Sequence, residues 1–158
     1  MTFVRKAAVA AMLSALLAAS PAHAHDYRVG DLAIAHPWSR ATPPGARVGG
    51  GYFAIDNRGS ASDRLVAATV ERAGRVEIHE MSVTDGVMRM RELPTGVAIA
   101  AQGRAELKPG GLHLMLLDLK APLIQGERLK GTLTFERAGT VAVEFAVEAI
   151  GASTRHDH

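Results

Sequence analysis

Short apolar, β-branched runs separated by turn residues fill the chain from Asp31 to Ala149. The runs are Asp31–Ala35, Val48–Ile55, Arg64–Glu71, Arg75–Val83, Val87–Glu92, Val97–Ala101, Ala105–Lys108, Leu112–Leu119, Arg128–Glu136 and Thr140–Ala149. Asn57-Arg58-Gly59, Ala73-Gly74, Asp85-Gly86, Pro94-Thr95-Gly96, Pro109-Gly110-Gly111 and Ala138-Gly139 separate them, and Pro37-Trp38 through Gly45 reads as a loop. Apolar and polar positions alternate most clearly in Thr132–Phe135 and Val141–Val147. Turns recurring about every ten residues predict an all-β Greek-key sandwich, and no stretch carries a long helical period. Gly49-Gly50-Gly51 lacks the helix entry of a phosphate loop and reads as a bulge or a close backbone approach.

The first 24 residues follow another pattern. Arg5 and Lys6 precede the apolar run Ala7–Ala19, and Ser20-Pro21-Ala22-His23-Ala24 ends in small-x-small. That is the pattern of a secretory signal peptide cleaved after Ala24, and the run is shorter than the ~20 apolar residues of a membrane span. The expected organisation is a signal peptide at 1–24, one β domain at 25–150 and a short tail at 151–158, located in the periplasm.

Composition narrows the function. The chain has 18 Lys+Arg against 16 Asp+Glu. Removing Arg5 and Lys6 balances the mature chain, so neither a nucleic-acid footprint nor a polybasic membrane patch is expected. Cys is absent. Thiol-disulfide chemistry, thiolate zinc sites, cysteine nucleophiles, Cys-linked lipid anchors and blue-copper centres are thereby excluded.

The candidate chemistry lies in one window. After residue 24 the only Met residues are Met81, Met88, Met90 and Met115, with His79 and His113 among them. Residues two apart on a strand share a face, so His79 pairs with Met81, Met88 with Met90, and His113 with Met115. The first two pairs sit on the arms of a hairpin turning at Asp85-Gly86. A four-residue loop sets His79 opposite Met90, and a two-residue turn sets Met81 opposite Met90. Either register collects the four side chains on one face, to which a third strand must bring His113 and Met115. Thioether sulfur is soft and neutral and imidazole suits copper, so the set favours copper(I) over zinc, magnesium or calcium. A single Met reads as core filler and a single His as a structural partner, and the argument rests on their conjunction.

These residues resemble the periplasmic copper chaperones of the PCu(A)C family. His79 is followed by ten residues to Met90, and twenty-two more lead to His113-Leu114-Met115. Pro37–Ala41, Thr42–Gly45, Val76–His79, Met88–Met90 and Leu107–Gly111 are also similar. The resemblance covers roughly residues 28–149. It implies a cupredoxin-like sandwich that binds copper(I) through His79, Met90, His113 and Met115, with Met81 and Met88 packed beside the site. It also implies a copper acceptor as partner, either the Cu(A) site in cytochrome c oxidase subunit II or another copper chaperone, and a monomeric protein without catalysis.

Two other classes stand beside this one: a copper-dependent redox enzyme and a non-metal interaction domain. The terminal His25, His156 and His158 are candidates for copper(II), although the tail is short and holds no Met. A frayed polar terminus is the plainer reading of the tail. His36 reads as structural.

Overall fold

The computed structural model describes residues 26–153. The expected signal peptide at 1–24, and His25, His156 and His158, lie outside the described residues. Eleven strands and no helix occur among those described. They are β1 (Tyr27–Val29), β2 (Leu32–Arg40), β3 (Val48–Asn57), β4 (Asp63–Val70), β5 (Arg75–Thr84), β6 (Val87–Glu92), β7 (Val97–Ile99), β8 (Arg104–Leu107), β9 (Leu112–Leu117), β10 (Arg128–Phe135) and β11 (Gly139–Glu148). They join in one mixed sheet in the order β6-β5-β9-β8-β3-β2-β11-β10-β4-β7, with β1 on β2. Most pairs are antiparallel, but β11 runs parallel to β2, and β8 to β9. β4 and β5 stand far apart in pairing order yet pack together, so the sheet bends over on itself around a single core.

The all-β expectation holds, with two differences. β1 is an added three-residue strand, turned into β2 by Gly30 at φ 55°. β2 also runs on to Arg40, through Pro37 and Trp38, where a loop was expected. His36 takes a left-handed backbone at φ 47°, and the β2–β3 register shifts between Ala35 and Trp38. A bulge of this kind lets a proline, which has no N–H for the ladder, lie within a strand.

Alternation against the core decides which way the candidate residues face. Leu114 and Leu116 on β9 and Ile78 on β5 are buried in the apolar cluster with Phe53, Phe135 and Phe145. Burying a Leu contributes about 1.5–3 kcal/mol, so β9 is held in this orientation. His113, Met115 and His79 must then project from the opposite side. Gly51 on β3 is a close approach on the core side, where an added Cβ would lie 3.3 Å from Leu114 Cβ.

Candidate metal centre

β5, β6 and β9 form the floor of the candidate site. Asp85 and Gly86 both have positive φ, 52° and 73°, and close a two-residue turn with Thr84 opposite Val87. That is the Asp-Gly hairpin in which both central residues are left-handed. The register sets Met81 opposite Met90, His79 opposite Glu92 and Val83 opposite Met88. On the other edge of β5, His79 lies opposite His113 and Glu77 opposite Met115. Cross-strand partners face the same side, so all six candidates share one face. Of the two registers open in the sequence, the two-residue turn is the one formed.

Each imidazole is oriented through one nitrogen. His79 Nε2 lies 2.8 Å from Glu77 Oε2, and Arg75 Nε donates to the other Glu77 oxygen at 3.1 Å. A carboxylate can only accept, so His79 carries its proton on Nε2 and its lone pair on Nδ1. The His79 interaction, helped by Arg75, holds the Glu77 carboxyl below its usual pKa, although partial burial opposes it. His79 Nδ1 is buried and has no hydrogen-bond partner, alone in this among the described side-chain nitrogens and oxygens. His113 Nδ1 donates to the Gly111 carbonyl at 2.9 Å, which leaves the lone pair on Nε2. The two rings are 5.8 Å apart between centroids. This is the outer-shell arrangement that fixes the tautomer of a metal-binding histidine.

Met81, Met90, His113 and Met115 line an open pocket on this face. Arg40, Gly50 and Tyr52 form its far wall. Gly50 lies opposite Met115, and an added Cβ there would run into the Tyr52 hydroxyl. Tyr52 stacks on Trp38 at 4.6 Å between centroids, so the ring is held over the glycine. Burial pushes the Tyr52 phenol above its usual pKa, and Arg40 only partly offsets this. Tyr52 therefore adds no anionic oxygen to the wall. The donors are neutral nitrogen and sulfur, and no group of three or more His, Asp or Glu suited to a metal occurs among the described residues.

The predicted residues separate by position. His113 is buried at 6% exposure, while Met90 is 47% exposed at the pocket mouth. His79 shares their face but is not a wall residue of the pocket. Met88 is 64% exposed near the hairpin tip, opposite Val83, and does not line the pocket. Met81, expected only to pack, is a wall residue. Glu77 escaped the sequence reading although it shares the parity of His79. Gly111 and Tyr52 had no sequence signal tying them to the histidines. No helix among the described residues is long and apolar enough to cross a membrane.

Similar proteins carry the same fold. The model of the LpqE-like family matches residues 32–147. A relative in Leifsonia xyli subsp. xyli, Lxx21020, is 32% identical over 115 residues, spanning 73% of this chain and 68% of that one. A solved copper-bound PCuAC domain from PmoF2 is 30% identical and superposes with a TM-score of 0.68 over 79% of this chain and 98% of that one. The solution structure of CuI-DR1885 from Deinococcus radiodurans is 27% identical, with a TM-score of 0.59 over 84% of this chain and 85% of that one.

Proposed function

The chain belongs to the LpqE-like family of PCuAC-type domains, and from that membership we propose that it is a periplasmic copper(I) chaperone. The ion is cargo, held by His79 Nδ1, Met90 Sδ, His113 Nε2 and Met115 Sδ. The observation that carries this reading is the buried lone pair of His79 Nδ1, which has no partner and sits on the strand face opposite His113. An unpaired buried polar atom is costly, and a bound ion removes the cost. Two imidazoles and two thioethers make a soft, uncharged set suited to a monovalent soft ion. The copper-bound relatives support the choice of metal.

Delivery rather than catalysis follows from the open mouth. Met90 is half exposed on an edge strand, so an acceptor's ligand can reach the ion. The acceptor is a copper protein of the same compartment, the Cu(A) site of cytochrome c oxidase subunit II or another copper chaperone. Export rests on the leader at 1–24 and on a family description that names lipoproteins, which are exported proteins. Copper(I) titration of the His113→Ala, Met115→Ala double variant against a competing chelator tests the site. At least a hundredfold loss of affinity is expected, roughly tenfold for each ligand removed. Undiminished affinity would sink the reading. Copper transfer to the isolated copper domain of subunit II tests the acceptor.

A further inference from the structure

Met81 is the residue that this site leaves unused. It lies directly opposite Met90. Its N–H donates at 3.1 Å to the Gly111 carbonyl, on the side of β5 away from β6. The Met81–Met90 pair is therefore a non-hydrogen-bonded pair, the kind whose side chains stand closer, with Cα atoms about 4.5 Å apart. Both thioethers line the pocket with His113 and Met115, whereas His79 is not a wall residue. The Gly111 carbonyl accepts from both Met81 N–H and His113 Nδ1, so one backbone atom sets the positions of Met81 and the His113 ring together. Met88 serves as an internal comparison: it has the same side-chain chemistry and shares the hairpin face, but it stands opposite Val83 and does not line the pocket.

We propose that Met81 is a copper(I) donor of this site, its thioether beside that of Met90 taking the place of His79 as the ion enters and leaves. The proposal rests on the copper(I) reading above. The step is a ligand exchange. One Cu–N bond breaks as one Cu–S bond forms, the ion stays copper(I), and no electron is transferred. Three thioethers and the His113 imidazole make a neutral donor set still softer than the one with His79, so the exchange moves the ion toward the mouth while copper(I) stays the preferred oxidation state.

The test uses the mature protein and its His79→Ala variant, each with Met81→Leu or Met88→Leu added. Leu replaces Met at nearly constant volume, so the fold is retained. Copper(I) affinity is read by chelator competition and sulfur coordination by X-ray absorption. His79→Ala protein is expected to keep binding copper(I), with a sulfur neighbour gained. Adding Met81→Leu to it should lower affinity by about tenfold or more and remove that neighbour, while Met88→Leu changes neither. The proposal is overturned if His79→Ala abolishes binding, or if Met81→Leu behaves as Met88→Leu does. A Met115→Leu variant that binds like the parent would instead overturn the copper-site reading beneath it. X-ray absorption of unmutated protein partly transferred to chelator gives a second check independent of any variant: a copper species with more sulfur than the resting one supports Met81, and an unchanged sulfur count contradicts it.

Discussion

Each imidazole of the site is held by one nitrogen and offers the other. For His79 the holder is Glu77, itself held by Arg75. Glu77→Gln keeps an oxygen that can accept from Nε2–H but removes the charge that makes the bond strong. Copper(I) affinity should fall by about tenfold, the usual effect of losing an outer-shell partner, with the copper-free melting temperature little changed. Chelator competition and thermal melting measure the two effects, and unchanged affinity would remove Glu77 from the site. The identities of the candidates were legible in the sequence because strand parity is independent of register. Which lone pair each histidine presents was not, since it depends on Glu77 and Gly111. Glu77 could have been found by extending the same parity one step back from His79.

The β5–β6 hairpin is the element that brings Met90 to the site. Its arms meet at Asp85-Gly86, where Gly86 needs φ 73°. Replacing Gly86 with Val sets a β-branched side chain in a left-handed conformation, at a cost of about 1–2 kcal/mol. β6 is an edge strand paired only with β5, so the effect should stay local. Amide exchange in β6 should accelerate while β10 and β11 keep their protection, and copper(I) affinity should drop as Met90 is less firmly held. Uniform acceleration across the sheet would contradict this. The hairpin was legible because Asp-Gly is a strong turn signal between alternating runs. The extension of β2 was not, because Pro37 reads as a strand breaker. It is accommodated only by a bulge whose left-handed residue, His36, gives no warning in sequence.

The whole molecule has its core on one face of a folded sheet and the site on the other, so the two can be perturbed separately. Away from the site, the Asp63 carboxylate accepts N–H bonds from Arg64, Arg137 and Ala138, tying the start of β4 to the β10–β11 turn. Partial burial would raise the Asp63 pKa, but these N–H groups and the Arg137 charge outweigh it and hold the pKa below the usual value. A carboxyl with a lowered folded pKa stabilises fully above its unfolded value, near 4, and the stabilisation is lost as pH falls through the lowered value. Asp63→Asn should therefore cost about 1 kcal/mol at pH 7 after allowing for its exposure, and the gap from the parent should close on acidification. Melting curves from pH 7 down to pH 3 measure it, and a gap that widens in acid would contradict the assignment. Fold class was legible from the turn spacing along the chain. The order of strands was not, because it depends on long-range pairings such as parallel β11 on β2, which leave no local trace.

The central claim is that one copper(I) ion sits among His79, Met90, His113 and Met115. The most direct measurement is NMR of residues 25–158 carrying 13C-labelled methionine methyls and labelled histidine rings, titrated with copper(I). Residues 25–158 hold only four Met, so each thioether methyl can be assigned to one residue. The account predicts saturation at one equivalent, with shifts of the Met90 and Met115 methyls and of both the His79 and His113 rings, while Met88 stays in place. Saturation without those shifts, or shifts centred on Met88, would contradict it.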